Sequence, residues 1–173
     1  MKPKLLLCLA LALMTFKLSA LELSIETPKT VLKSSEGISF VVTFHNNSTN
    51  NVLLNCGMML GNGQQSWNTL EAELKNEAGQ RIPMTLHWGV GAVLGRIYFL
   101  GLPLHAGSVY KLLVSPDDYY VGNGERLKPG KYEIHFVFHG KQPSSTIRDP
   151  AEMPACWEGE AQSNMLKFEV LPE

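Results

Sequence analysis

Two histidines in the second half of the chain are the first candidates for metal chemistry. His135 and His139 stand four residues apart in the run 132–139 (YEIHFVFH), whose apolar and polar residues alternate strictly. On a strand they share a face with Cα atoms about 13 Å apart, which is too far for both imidazoles to bind one ion directly. We therefore expect two solvated imidazoles on an outer sheet face and no metal site there.

Methionines and one further histidine make a second candidate, for copper. Met58, Met59, Met84 and His87 carry thioether and imidazole groups, which suit Cu(I) in an oxidising compartment. The opposing interpretation is that these methionines fill irregular gaps in a core or a loop. A metal carrier is therefore kept as an alternative function, and no metal ligand or cofactor is assigned.

An acidic turn and a glycine-rich segment are the remaining chemical candidates. Asp117, Asp118, Asn123 and Glu125 offer oxygen ligands for calcium but lack the spacing of a calcium-binding loop, so we expect an ordinary acidic turn. The glycines of residues 89–95 lack the spacing and the strand-turn-helix context of a nucleotide-binding loop. Because no serine elbow or comparable nucleophile motif stands out, the sequence predicts no catalytic residue and no enzyme.

Cys56 and Cys156 are the two cysteines that follow the first twenty residues. In an oxidising compartment an even cysteine count favours a disulfide, so we expect this pair to be bonded. Closing a loop of about 100 residues would stabilise the fold by roughly 4 to 5 kcal/mol in the chain-entropy model. Two unpaired buried thiols are the alternative.

The first twenty residues have the layout of a secretory signal peptide. Lys2 and Lys4 precede an apolar run over residues 5–16, and small residues end the segment at Ala20. The run is too short to span a bilayer, so we expect an exported chain, periplasmic or secreted, without membrane insertion. Removing this segment takes away three lysines, which lowers the basic count from 15 to 12 against 16 acidic residues and gives a net charge of -4. Such a domain is not expected to bind nucleic acid or anionic lipid.

The elements that would carry these residues are β-strands. Apolar and polar residues alternate with a period of two in segments separated by turn residues. The predicted strands are 21–26, 38–45, 52–56, 70–75, 81–86, 110–114, 132–139 and 166–170. Residues 21–173 therefore predict one all-β domain, an immunoglobulin-like sandwich of two antiparallel sheets with seven or eight strands. Three long connections, 57–67, 87–104 and 140–163, are where binding sites usually lie.

The connection over residues 88–100 is rich in large apolar side chains. Trp88, Tyr98 and Phe99 are its aromatic members. In one interpretation residues 96–100 form a further core strand and Trp88 packs over the sheet edge, because large apolar residues dominate cores. In the other, part of this loop is exposed as a rigid aromatic anchor, and these three aromatic residues are our candidates for contacting a protein partner.

A turn and a tyrosine mark the entry to the strand at 132–139. Residues 127–132 read LKPGKY, which looks like the tyrosine corner of immunoglobulin-like sandwiches, where the hydroxyl of the tyrosine bonds backbone upstream of the turn. With residues 104–107 (LHAG), 157–159 (WEG) and 163–164 (SN), this segment resembles a loose group of bacterial exported immunoglobulin-like domains. The resemblance covers most of the second half of the chain. It implies the fold and a structural role for Tyr132, and it implies no activity.

On these grounds we expect an exported, non-enzymatic domain that recognises a protein or an envelope component through its loops. The first alternative is a protease inhibitor that inserts the loop at 57–67 or 87–100 into an active-site cleft. The copper carrier is the second alternative. The three differ in what a purified sample would show: a bound partner, a blocked protease or a bound ion.

Overall fold

The computed structural model describes residues 20–61, 63, 65–86, 97–122, 124, 126–143 and 155–173. It confirms the predicted all-β class, because every regular element in those ranges is a strand except one 3-10 turn at Pro116–Asp118. Within the same ranges no helix has the length and apolar character needed to cross a bilayer. The predicted signal peptide at residues 1–20 lies outside the described residues, except for Ala20.

The described residues form fourteen strands, more than the seven or eight that alternation predicts. Their bounds are β1 (Leu21–Glu26), β2 (Val31–Lys33), β3 (Phe40–Asn46), β4 (Val52–Leu60), β5 (Gln65–Ser66), β6 (Leu70–Asn76), β7 (Arg81–Ile82), β8 (Met84–Leu86), β9 (Ile97–Leu104), β10 (Val109–Val114), β11 (Tyr119–Val121), β12 (Gly130–Gly140), β13 (Gly159–Gln162) and β14 (Leu166–Leu171). Most of the additional strands have only two to four residues, too few for a period of two to be recognised. Pro83 also divides the predicted strand 81–86 into β7 and β8.

The strands belong to four sheets with mostly antiparallel pairing. The largest has the order β2-β14-β12-β6-β7 with β13 also paired to β12, and the second has the order β1-β3-β10. Strands β5-β4-β9 form a third sheet, and β11-β8 a fourth. The pairing of β14 with β2 is parallel. The prediction of purely antiparallel sheets is therefore wrong for this pair.

The centre of the core lies between the six-stranded sheet and the β1-β3-β10 sheet, where the inward faces of β3 and β12 meet. Residues of the β5-β4-β9 sheet, namely Leu54, Cys56 and Leu104, are buried in the same core. Phe40 and Phe44 of β3 meet Phe136 and Phe138 of β12, and all four are fully buried. The rings of Phe44 and Phe138 lie edge to face, with centroids 5.4 Å apart. Burying each such side chain stabilises the fold by about 1.5 to 3 kcal/mol, so this aromatic layer is a main link between the sheets.

Two polar residues between β13 and β14 fix this connection. Ser163 bonds to β12 of the same sheet, and Asn164 reaches across to β1 of the second sheet. The Ser163 hydroxyl accepts a hydrogen bond from the Phe136 amide at 2.9 Å. The Asn164 side chain accepts from the Ile25 amide at 2.8 Å and donates to the Ile25 carbonyl at 3.1 Å. A single amide side chain therefore occupies the place of a neighbouring strand along the edge of β1.

The entry to β12 is fixed by Tyr132. Its buried hydroxyl donates to the Lys128 carbonyl oxygen at 2.7 Å, four residues upstream. Burial also raises the pKa of Tyr132, so the hydroxyl remains a donor throughout the physiological pH range. The tyrosine thus closes the turn that places residues 126–131 beside the sheet.

Candidate functional site

The longest pairing outside the two main sheets is the ribbon of β4 and β9. We call Val52–Leu60 together with Ile97–Leu104 the β4–β9 ribbon. The strands pair antiparallel from Val52 opposite Leu104 to Leu60 opposite Ile97, so the ribbon has a base near the main sheets and a distal end at Leu60 and Ile97. Two of the three predicted long connections contribute to it, since 57–67 supplies the end of β4 and 87–104 supplies β9.

A glycine in β4 allows the third strand of this sheet to approach. Pairing of the ribbon is interrupted by a bulge between Asn55 and Gly57, and the backbone of Gly57 has φ of 128°. A Cβ at Gly57 would lie 2.0 Å from the carbonyl oxygen of Ser66 on β5. Only glycine fits this position, so the predicted loop 57–67 is instead a tight hairpin in which β4 turns directly into β5.

The base of the ribbon is attached firmly to the end of β12. The Trp157 amide donates to the Leu53 carbonyl oxygen at 2.8 Å. The buried Asn55 side chain donates to the Lys141 carbonyl oxygen at 3.0 Å, and its backbone carbonyl accepts from the Thr69 hydroxyl at 2.9 Å. These bonds tie one short stretch of β4 to three separate chain segments, so the distal end projects from a rigid support.

The base is also packed by the indole ring of Trp157. The ring stacks on Phe138 with centroids 6.0 Å apart, and it covers Gly140, where a Cβ would lie 2.2 Å from the ring carbon Cε3. The glycine at the end of β12 therefore makes the space that the indole fills. In this way the segment that follows residues 144–154 is brought back beside the ribbon.

The distal end of the ribbon is apolar on both faces. Residues opposite one another share a face, so Met59 and Tyr98 lie on one side and Leu60 and Ile97 on the other. Ile97 is 42% exposed and Tyr98 is 47% exposed. Antiparallel strands with one solvated face usually alternate apolar and polar residues, and this ribbon does not.

The ribbon and its third strand also lack charge. The sequences VLLNCGMML, QS and IYFLGLPL of β4, β5 and β9 contain no acidic or basic residue. Surface strands usually carry charged side chains that keep other molecules from adding to them. An uncharged, two-sided apolar ribbon therefore has the composition of a contact surface.

The three aromatic candidates are placed only in part. Tyr98 and Phe99 lie on β9 in the distal half of the ribbon, with Tyr98 exposed and Phe99 half-buried. Trp88 lies outside the described residues. Residues 97–100 do form a strand, as one interpretation of the sequence expects. That strand belongs to the ribbon, where Ile97 and Tyr98 are exposed and Leu100 packs against the core.

The two cysteines are buried, and the structure contains no disulfide between them, in contrast to the predicted bond. The Cys56 thiol donates to the Leu54 carbonyl oxygen of its own strand at 3.8 Å. The backbone amide and carbonyl of Cys156 bind the side chain of Gln142 at 3.2 and 3.0 Å. Burial, followed by the charge of Cys156, raises the pKa of Cys56 to about 12. Cys56 is therefore a buried, protonated thiol within the ribbon.

Comparison with known proteins assigns no family to the chain. The sequence matches no protein-family model, and it matches no curated protein. Among solved structures the chain is similar to part of a β-glucuronidase from Bacteroides uniformis, with 12% identity and a TM-score of 0.37. The match covers 86% of this chain and 13% of the enzyme. A likeness at that level carries no argument about activity.

The methionine candidates for copper are distributed over different sheets. Met58 and Met59 lie on β4 in the ribbon, whereas Met84 lies on β8, which pairs with β11. His87 lies outside the described residues. In the part of the chain that the structure describes, no group of three or more His, Cys, Asp or Glu side chains is arranged to hold an ion.

The two histidines of β12 have different surroundings. The side chain of His135 is 6% exposed, so the expectation of a solvated imidazole is wrong for this residue. Its Nε2 lies 3.5 Å from Glu73, the residue opposite it on β6, and its buried Nδ1 has no hydrogen-bond partner. His139 is half-exposed and lies 3.5 Å from Glu71 and from Glu160, on opposite sides of its ring. Each histidine therefore contacts carboxylates without sharing one with the other.

The acidic turn has a structural role. The Asp118 carboxylate accepts hydrogen bonds from the Ser115 amide at 2.7 Å and the Ser115 hydroxyl at 2.6 Å, which closes the 3-10 turn. Asn123 and Glu125 lie outside the described residues, as do the glycines of 89–95.

Proposed function

We propose that this chain is an exported, non-enzymatic binding domain that recognises a protein or an envelope component through the distal end of the β4–β9 ribbon. The observation that carries the proposal is a charge-free apolar ribbon on a rigid base, with Ile97 and Tyr98 exposed at its end. Export is inferred from the signal-like layout of residues 1–20.

The side chains at the distal end are suited to an interface. Tyrosine, phenylalanine and methionine are enriched at the centres of protein interfaces, where charged residues are depleted. Tyr98 has only two side-chain torsions, so ordering it on binding costs little entropy, and the neighbouring Met59 can adapt to an irregular partner surface. The hydrogen bonds at Leu53 and Asn55 fix the ribbon before a partner arrives, which lowers the entropic cost of association.

The proposal is tested by comparing two double variants in capture from the envelope of the producing cell. Ile97→Ser with Tyr98→Ser removes the exposed apolar side chains of the ribbon. Val109→Ser with Leu113→Ser is the matched control, because those residues are 52% and 61% exposed on β10 of another sheet. We expect the ribbon variant to retain the partner at least about tenfold less well than the wild type, since central aromatic anchors dominate interface energies. The control variant is expected to match the wild type.

Equal capture by the ribbon variant, with circular dichroism showing that it is folded, would refute the proposal. The same samples separate the two alternative functions. A protease that the wild type inhibits stoichiometrically and the ribbon variant does not would make the captured component an enzyme and the chain an inhibitor. Stoichiometric copper in the purified protein would favour the carrier instead.

A further inference from the structure

A cavity of about 520 Å³ opens at the other end of β12, beside the turn that Tyr132 closes. Its walls are residues 126–131 on one side and the turn at residues 76–78 on the other. An eleven-residue strand spans about 33 Å, so this corner cavity is separated from the base of the ribbon by the length of the sandwich. The volume lies within the range of pockets that hold small molecules.

The floor and the rim of the corner cavity differ in character. The floor is apolar and consists of Ile82, Val121, Leu127 and the ring of Tyr132. The rim carries three exposed basic side chains, namely Arg126, Lys128 and Lys131, and one acidic side chain, Glu77. Among its described lining residues, the cavity thus combines an apolar surface with an excess of positive charge, in a chain whose net charge is negative.

Among the residues that the structure describes, the basic side chains of the rim form no ion pair. No described carboxylate oxygen lies within 4.0 Å of any of the three, the distance limit for an ion pair. The charge of Arg126 does contribute to lowering the pKa of Glu173. Other basic residues are paired with glutamates at 2.6 to 3.2 Å: Lys29, Arg81, Lys111 and Lys167. Exposed cations that line one concavity and lack a described ion-pair partner are available to a ligand.

The cavity is held open by the backbone around it. The bond from Tyr132 to the Lys128 carbonyl fixes one wall. The amide of Gly122, which lines the cavity, donates to the Pro83 carbonyl oxygen at 2.7 Å. The Asn76 and Gln80 side chains bind each other at 2.9 Å across the opposite turn. The walls of the cavity are therefore present before a ligand arrives.

We infer that the corner cavity binds a small amphipathic organic anion, with its apolar body on the floor and its anionic group at the basic rim. The apolar floor favours an aromatic or alkyl body. The described lining residues carry three cations and one carboxylate, which favours an anionic group over a neutral or cationic one. This site is independent of the ribbon proposed above to contact a macromolecular partner.

The inference is tested by NMR titration of the purified, ¹⁵N-labelled protein with three probes of one shape. The probes are 4-phenylbutyrate, the neutral 4-phenylbutyramide and the cationic 4-phenylbutylamine. We expect 4-phenylbutyrate to shift the amide signals of Val121, Leu127 and Tyr132 with a Kd on the order of 1 mM, the range of a fragment of this size. The amide should bind at least about threefold more weakly, and the amine more weakly still.

Charge variants give predictions of opposite sign. Lys128→Gln should weaken 4-phenylbutyrate binding by about two- to fivefold, and Glu77→Gln should strengthen it by a similar factor. Lys141→Gln is the matched control, because Lys141 is also exposed but lies at the ribbon end of β12, and it should leave the Kd unchanged. Three results would each overturn the inference. The first is no shift of those amide signals at about 10 mM 4-phenylbutyrate, roughly ten times the expected Kd. The second is equal binding of the neutral amide, and the third is weaker 4-phenylbutyrate binding in Glu77→Gln.

Discussion

Replacing Asn164 tests whether one side chain joins the two main sheets. The Asn164→Ala variant loses both bonds to Ile25, the acceptor at 2.8 Å and the donor at 3.1 Å. A neutral hydrogen bond contributes about 1 kcal/mol to stability, so two would give about 2 kcal/mol. Asn164 is exposed, and water can replace part of this, so we expect a loss of about 1 to 2 kcal/mol in the free energy of unfolding.

The assay is urea unfolding followed by circular dichroism and tryptophan fluorescence together. The two signals should coincide, and the dependence of the free energy on urea should be unchanged, which would assign the difference to the folded state. Asn164→Asp keeps the acceptor but places a carboxylate oxygen against the Ile25 carbonyl, so at neutral pH we expect it to be at least as destabilising as the alanine. Asn47→Ala is the control, because Asn47 is exposed and its side chain donates to Glu22 of β1, a strand of the sheet that Asn47 itself adjoins. A loss below about 0.5 kcal/mol in Asn164→Ala, the range of ordinary surface changes, would refute the reasoning.

Three further predictions follow from the geometry. Gly57→Ala should lower the free energy of unfolding in urea by about 2 kcal/mol more than Gly79→Ala does. Both glycines have positive φ, but only at Gly57 would an added Cβ lie 2.0 Å from a backbone oxygen. Cys56 should react with iodoacetamide only when the protein unfolds, since burial raises its pKa to about 12; fast labelling of the native protein, or a Cys56 peptide linked by a disulfide, would contradict this. Lys167→Met should return the lowered pKa of Glu133 to its ordinary range in a carboxyl NMR titration, because the 2.8 Å bond to Lys167 is its main cause. The stabilisation from that pair is present above the unfolded pKa of the glutamate and is lost as the pH falls through the lowered folded value.

The long strands of the main sheets are predictable from the sequence, since each has one face on the core. Alternation places β1 at its observed bounds and the strand after the tyrosine corner within two residues of β12. That alternation exists because a side chain facing the core must be apolar and its neighbour must meet water. Where one face is not solvated the signal disappears.

The ribbon shows why the candidate site is harder to predict. The predicted strand ends at Cys56, but β4 continues through Met58, Met59 and Leu60. Those residues are apolar on both faces, so they carry no period of two, and Gly57 interrupts them with a bulge. The complete absence of charged residues in β4 and β9 is the signal in the sequence that could have predicted their pairing.

Alternation also cannot predict the role of a side chain whose partner is distant in the sequence. The burial of His135 depends on Glu73 of β6 and on the covered outer face of β12, and neither follows from spacing within β12. The bond of Asn164 to Ile25 joins positions 139 residues apart. The sequence predicts which strands exist, and the pairing of strands decides which polar groups become structural.

The position of β12 gives the molecule two ends with different chemistry. At its C-terminal end the uncharged ribbon is bonded through Leu53 and Asn55, and at its N-terminal end Tyr132 closes a turn with a basic rim. About 33 Å of strand separates them, and the contacts named for the two ends share no side chain. Energetic effects at sites this far apart add independently unless a two-state element connects them, and the core phenylalanines between them are closely packed in one arrangement. Binding at the ribbon and binding in the corner cavity should therefore be separable functions of one rigid scaffold.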